Sequence, residues 1–215
     1  FHLQPRDAVL NDENVRLMRT YRGVRDRVEA LIEQLREMKK SHGPKLFQAL
    51  RELEIDASAF DEGVAAWFIY LNRAGFNGLY RVNSKNQFNV PYGRYKNPRI
   101  RDVEGLRAAS AALQGVQLTH GDFPTATRAL GEGDFVYFDP PYIPTSDTAD
   151  FTAYTKAKFK PVDQERLARE MRRLRRARVR VVLSNADAGD ARALYKTFER
   201  RVIMAPRAIN CDGAK

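Results

Sequence analysis

Asp134-Phe135-Val136-Tyr137-Phe138-Asp139-Pro140-Pro141-Tyr142 runs from an apolar segment straight into an acid, two prolines and an aromatic ring. Its apolar half, rich in β-formers, predicts a strand that delivers Asp139 at its C-terminal end. The two prolines then fix the backbone, because each locks φ and removes a donor, and the second pushes the first out of the helical region. Working outward, Val162 to Arg178 predicts a helix that is polar on one side, followed by strands over Val179–Leu183 and Phe198–Met204. Upstream, Val116 to Leu118 is a further strand. Ala8-Val9-Leu10 is another, with Asn11-Asp12 at its exit. Strands alternating with helices predict an α/β fold with a mainly parallel sheet.

Between the first two strands the pattern is helical. A long charged helix is expected from Glu13 to Lys39, with Val24, Val28, Leu31, Ile32 and Leu35 at steps of three and four. Ser41-His42-Gly43-Pro44 breaks it, and helical pattern resumes over Leu46–Leu53. A helix over Asp61–Asn72 carries Val64, Trp67, Phe68 and Leu71 on one face, and Gly75 is expected to cap it. Phe76 to Pro98 loses apolar periodicity and predicts a loop or hairpin lobe, before a helix over Arg101–Leu113.

Of the 215 residues 43% are hydrophobic, enough for a real core, which excludes a disordered or collagen-like chain. The single cysteine, Cys211, excludes an internal disulfide and points to a reducing, cytoplasmic setting. The apolar run Gly63 to Leu71 is too short for a membrane span, and no secretory signal is visible. Three histidines and one cysteine without ligand spacing predict no metal. The formal net charge of +10 favours a polyanionic partner, though only weakly by itself.

That charge is concentrated. From Gly63 to Arg101 there is no Asp or Glu, while Arg73, Arg81, Lys85, Arg94, Lys96, Arg99 and Arg101 all fall there. Aromatic residues interleave with them: Phe76, Tyr80, Phe88, Tyr92 and Tyr95. Arginine forks bind phosphates and guanine edges, and aromatic rings stack on bases. The same residues would also suit a solvated basic loop whose rings turn into the core. The arginines of Arg166–Arg180 read differently, as the solvated outer face of an amphipathic helix.

The Asp139-Pro140-Pro141-Tyr142 corner suits methylation of an exocyclic amino group on a base. Such an amine is a poor nucleophile because its lone pair is delocalised into the ring. Asp139 and a proline carbonyl can accept its N–H bonds, turn the lone pair out of plane and stabilise the developing positive charge. Tyr142 would stack on the base, which must be flipped out of a duplex to be reached. The bland alternative is an ordinary strand-to-loop turn with a surface acid. A lone His120 beside Gly121-Asp122 reads as structural.

At this point the sequence resembles the DNA adenine-amino methyltransferases of the Dam type. Leu71 to Arg81 and Phe88 to Lys96 carry the likeness, with Phe138 to Tyr142 and Phe151-Thr152-Ala153-Tyr154. Supporting blocks are Leu10 to Asn14, Gly121-Asp122-Phe123, Leu183-Ser184-Asn185 and Arg207 to Asn210. The resemblance implies a Rossmann-like methyltransferase sheet with an inserted helical and hairpin DNA-recognition lobe. It places the catalytic domain in residues 1–40 and 114–215 and the lobe in 41–113. It implies methyl transfer from S-adenosylmethionine to adenine in duplex DNA, in a GATC-like site, by a monomer of bacterial or phage type associated with the nucleoid.

By position, Asp139, Pro140, Pro141 and Tyr142 are then catalytic, and Tyr154 is a further candidate for the base pocket. Asp12, Asp122, Phe123 and Asp139 are candidates for the cofactor, with Asp12 on the ribose hydroxyls. DNA-contacting candidates are Arg73, Phe76, Asn77, Leu79, Arg81, Asn89, Pro91, Tyr92, Arg94, Tyr95 and Lys96. Phe76 and Asn77 would wedge into the duplex, Arg81 would read a guanine, and Leu79 and Pro91 would touch a thymine methyl. The family's glycine-rich cofactor loop and first strand precede the segment that Leu10–Asn14 matches, and the sequence does not contain them. An ordered part of a longer enzyme, a split enzyme completed by another chain and an inactive DNA-binding fragment are the competing expectations. A methyltransferase acting on cytosine or RNA is the other enzymatic alternative.

Overall fold

The computed structural model describes residues 4–143 and 159–204, which divide into two compact units, one up to Arg128 and one from Ala129 on. Phe151 to Tyr154, Arg207 to Asn210 and Cys211 lie outside the described residues.

The first unit holds β1 (Val9–Asp12), α1 (Val15–Asp26), α2 (Val28–Lys40), α3 (Pro44–Glu52), α4 (Asp61–Ala74), α5 (Val103–Leu113), β2 (Gln117–His120) and α6 (Phe123–Thr127). β1 and β2 pair in parallel, with Asp12 opposite His120 at their C-terminal ends. α4 is the central helix. Val64, Trp67, Tyr70 and Leu71 on it are buried among Leu31 and Leu35 of α2 and Phe47 of α3. α1 starts cleanly because the Asn14 side chain accepts from the backbone N–H groups of Arg16 and Leu17, satisfying two donors that a helix start leaves orphaned.

The single helix expected over Glu13–Lys39 is two. Arg27 sits between α1 and α2 with φ −138° and ψ 35°, outside the helical region. The break lets both segments pack on α4, which one straight rod would not do. The halt at Ser41 to Pro44 falls as expected, with Pro44 opening α3, where its missing N–H costs nothing. Gly75 does end α4, but not as a left-handed cap. Its φ is −77°, and glycine is required because a β-carbon would lie 2.7 Å from the Leu71 carbonyl oxygen.

The second unit holds β3 (Phe135–Phe138), α7 (Pro161–Arg176), β4 (Arg180–Leu183) and α8 (Gly189–Leu194). β3 and β4 are parallel, with Phe135 opposite Arg180 and Phe138 opposite Leu183. α7 lies between them in sequence, as a parallel pair requires of its crossover, and it packs on β4. Leu167, Ala168, Met171 and Leu174 form its buried stripe. The expected strand over Phe198–Met204 is absent. Those residues pair with no strand among the described residues, and Ile203 and Met204 are 77% and 92% exposed. An apolar run becomes a strand only where a neighbour offers an edge to bond to.

The architecture is thus α/β with short parallel strands, as the alternation predicted. Among the described residues no helix is long and apolar enough to cross a membrane, and no three metal-ligating side chains gather.

Candidate functional sites

In the first unit the C-terminal ends of β1 and β2 bring Asn11, Asp12, His120, Gly121 and Asp122 together. Thr119 Oγ1 donates to Asn11 Oδ1 at 2.9 Å, and Asn11 Nδ2 donates to the Gly121 carbonyl at 2.8 Å. This ties the two strand exits to each other. Asp12 Oδ1 accepts from the Asn14 N–H at 2.7 Å. Burial holds the Asp12 carboxyl above the ordinary carboxylate range, against the pull of that N–H and of His120. His120 Nε2 is 3.1 Å from the Glu13 carbonyl, a local tie. Gly121 has φ 142°, and a β-carbon there would point into open space. A half-buried acid with one oxygen engaged, at the carboxyl ends of parallel strands and beside an open turn, fits a ribose; this is the usual place for nucleotides in α/β folds. Asp122 and Phe123, half-buried where α6 starts, stand next to it.

The basic lobe is a hairpin laid on α4. Gly75 bridges Tyr92, and Val82 bridges Phe88, both antiparallel. Its turn is closed by Asn83 Oδ1, which accepts from the Lys85 and Gln87 N–H groups. Alternation sorts the side chains. Val82, Phe88 and Val90 face the core, while Arg81 and Pro91 face out. Both earlier readings of the lobe are therefore partly visible. Tyr80 stacks on Phe68 at 4.6 Å and Tyr92 sits 5.2 Å from Phe47, both turned inward, whereas Phe76 is 48% exposed. Leu79 is half-buried against the core.

Phe76–Gly78 form a short 3-10 turn in which Asn77 takes a left-handed conformation (φ 52°, ψ 23°). Its N–H donates to the Tyr95 hydroxyl at 3.0 Å, and Asn72 Nδ2 donates to the Gly78 carbonyl at 2.5 Å. The exposed ring of Phe76 and the side chain of Asn77 thus stand on a stiff base. Arg81 donates from Nε and Nη2 to the Asn89 carbonyl, at 3.2 and 2.7 Å. Arg73, Arg94, Tyr95 and Lys96 are exposed and Asn89 is half-buried. His42, which no motif singled out, lies 3.0 Å from the Tyr70 hydroxyl, 3.2 Å from that of Tyr92 and 3.2 Å from the Tyr95 carbonyl, so it anchors the hairpin's second strand.

In the second unit β3 delivers Asp139 at its end. Ser184, at the end of β4, donates to Asp139 Oδ1 at 2.5 Å, and Tyr137 donates to Ser184 Oγ at 3.0 Å. That chain of donors fixes one carboxylate oxygen as an acceptor and leaves Oδ2. Pro140 and Pro141 are half-buried and Tyr142 is exposed. Gln164 Nε2 donates to the Pro141 carbonyl at 2.8 Å, while the Ile143 N–H donates to Asn185 Oδ1 at 2.9 Å. Sequence motifs did not point to Gln164 or Tyr195. The available signal was a polar residue in line with Leu167, Ala168 and Met171 on a core-facing stripe. Tyr154 lies outside the described residues.

Each unit thus carries an acid at the end of a parallel strand, Asp12 in the first and Asp139 in the second, the position at which α/β folds commonly meet nucleotides. The comparisons agree and are more specific. A 44% identical relative is the type II methyltransferase M1.LlaDCHI of Lactococcus lactis subsp. cremoris; the alignment spans all of this chain and 76% of the relative. M.MjaIII of Methanocaldococcus jannaschii, also a type II methyltransferase, is 39% identical over 97% of this chain and 75% of its own. The DNA adenine methylase of Salmonella typhi is 34% identical over 95% and 74%. The family model for D12 class N6 adenine-specific DNA methyltransferases matches residues 1–209. The chain belongs to that family, and it is an enzyme of that class.

Proposed function

We propose that this methyltransferase transfers a methyl group from S-adenosylmethionine to the exocyclic amine of an adenine flipped out of duplex DNA, within a GATC-like site. When bound, S-adenosylmethionine supplies an electrophilic methyl group on a sulfonium. Asp12 holds the ribose hydroxyls, and Asp122 with Phe123 flanks the adenine ring. Asp139 Oδ2 accepts one N–H of the target amine and a proline carbonyl the other, so the lone pair leaves the ring plane. The carboxylate, held on its far side by Ser184, stabilises the charge that grows on nitrogen. Tyr142, exposed beside the corner, stacks on the extruded base.

On the DNA side, the hairpin of residues 75–96 is the target-recognition element. Phe76 and Asn77 fill the gap that the adenine leaves, Arg81 reads a guanine, and Leu79 with Pro91 meets a thymine methyl. Arg73, Arg94, Tyr95 and Lys96 sit on the backbone, supported from within by Asn89 and Tyr92. The enzyme works as a monomer on duplex DNA in the bacterial or phage nucleoid compartment. The whole-chain likeness to methyltransferases favours this reading over an inactive DNA-binding fragment.

The observation that carries the proposal is the Asp139 carboxylate, oriented by Ser184 at a strand end and followed by two prolines. Asp139→Ala is expected to abolish methyl transfer, by at least about a thousandfold, while the dissociation constant for duplex DNA stays within a few-fold. Turnover near wild type would remove Asp139 from the mechanism.

A further inference from the structure

Beside the acid–diproline corner lies a buried glutamine, with a half-buried tyrosine against it, that no step of the proposed reaction uses. Gln164 is 5% exposed, in the first turn of α7. Its Nε2 donates to the Pro141 carbonyl at 2.8 Å. Its Oε1 accepts from the Tyr195 hydroxyl at 2.9 Å and from Asn185 Nδ2 at 3.3 Å. Asn185 is itself fixed, because its Oδ1 accepts from the Ile143 and Ala186 N–H groups, both at 2.9 Å.

A side-chain amide is nearly symmetric in shape but not in hydrogen bonding. Two donors converge on one end of Gln164, so the other end must be nitrogen, and nitrogen must face the Pro141 carbonyl. Reversal would set nitrogen against nitrogen at Asn185 and oxygen against oxygen at Pro141. Burial pushes the Tyr195 hydroxyl up to about 12, so it stays protonated throughout the working range. The corner therefore has two fasteners, Gln164 on Pro141 and Asn185 on Ile143. They bracket Tyr142 and stand directly after Asp139-Pro140. Pro141 has no N–H to donate, so its own hydrogen bonding is through its carbonyl, which Gln164 engages. No described residue donates to the Pro140 carbonyl.

We infer that Gln164, locked by Tyr195, is a positioning residue that sets the curvature of the corner and so holds Asp139, the free Pro140 carbonyl and the Tyr142 ring in working relation. The inference rests on the reading of Asp139 as the amine acceptor. It acts through the backbone and touches no substrate. An error of an ångström in such a site costs on the order of a hundredfold in rate.

The test compares Gln164→Met, which keeps length but removes the donor, and Tyr195→Phe, which removes one oxygen. Single-turnover methyl transfer to duplex DNA with S-adenosylmethionine is measured beside DNA affinity, steady-state kcat and KM, and melting temperature. The expected result for Gln164→Met is a rate about 10–100-fold lower, borne by kcat, with KM and DNA affinity within twofold of wild type. Tyr195→Phe should lose about 3–10-fold in the same parameter, and the double variant no more than Gln164→Met alone, because both act on one bond. A Gln164→Met rate within twofold of wild type overturns the inference, and so does a loss that merely follows the unfolded fraction. Should Gln164→Met fail to fold, Tyr195→Phe decides, and a wild-type rate there overturns it. Asp139→Ala run alongside separates the two readings: turnover in Asp139→Ala sinks the amine corner itself, whereas a dead Asp139→Ala with a normal Gln164→Met sinks only the role of Gln164.

Discussion

A hydroxyl on one carboxylate oxygen changes what the other can do. Ser184 occupies Asp139 Oδ1, which leaves Oδ2 as the oxygen that the proposed reaction uses. Asp12 follows the same logic, with Asn14 on Oδ1. Asp12→Asn is expected to weaken S-adenosylmethionine binding by about 1–3 kcal/mol, read by calorimetry, because an amide accepts less strongly than a carboxylate. Binding equal to wild type would take the ribose away from Asp12. The Asp12 pKa is raised by burial, so its carboxylate protonates earlier on acidification than an exposed aspartate. Cofactor affinity should begin to fall at a correspondingly higher pH. The residue-scale features legible in the sequence were the ones spelled by local motifs: Asp12 at a strand exit and Asp139 before two prolines. Gln164, Tyr195 and His42 were hidden because the partners named for them are 21 or more, 31 and 28 or more residues away along the chain.

Elements meet through small residues where they cross closely. A β-carbon on Gly23 of α1 would lie 2.7 Å from the Asp61 carbonyl oxygen at the start of α4. Gly23→Ala gains about 1 kcal/mol of helix propensity yet must push two packed helices apart, at about 1–3 kcal/mol. A lowered urea midpoint is expected; an unchanged or raised one would show that the crossing yields. The hairpin of residues 75–96 is a second element whose outward face is set by pleat. Arg81 is held on the Asn89 carbonyl, pointing away from the core. Arg81→Ala should relax selectivity at one base pair by roughly 1–3 kcal/mol, measured by methylation of single-substituted duplexes. Equal weakening on every sequence would mean that Arg81 meets phosphate instead. Helix existence was legible from periodicity, but the break at Arg27 was not, because charged residues there fit either a continuous or a divided helix.

At the scale of the molecule, arginine–aspartate pairs tie distant segments of the first unit together. Arg16, 7% exposed at its side chain, forks onto both oxygens of Asp56 at 2.7 Å and stands over the Trp67 ring. Asn86 of the hairpin tip also donates to Asp56. Arg19 and Arg22 share Asp61. The Arg16 hydrogen bonds hold the Asp56 carboxyl below its ordinary range; Asp61 is also lowered, its two arginines outweighing the upward push of burial. Both acids therefore bind protons more weakly folded than unfolded. Their stability is full above the unfolded value of about 4 and is lost as pH falls through the lower folded values. Denaturation midpoints should drop steeply below about pH 4, and Asp56→Asn should flatten that drop while costing about 1–3 kcal/mol at neutral pH, since Asp56 is itself half exposed. A pH profile identical to wild type would assign the acid loss elsewhere.

What the sequence determined by itself is local and chemical: parallel strands alternating with helices, an acid at each of two strand exits, and a basic stretch without a single carboxylate. These follow from side-chain type, pleat and helical period, which act over a few residues. Tertiary structure alone decided which aromatic rings of the hairpin face water, since Tyr92 and Phe76 look alike in sequence but only one has Phe47 beside it. It also decided that Phe198–Met204 would stay unpaired, because a strand needs a neighbouring edge that no property of its own residues supplies.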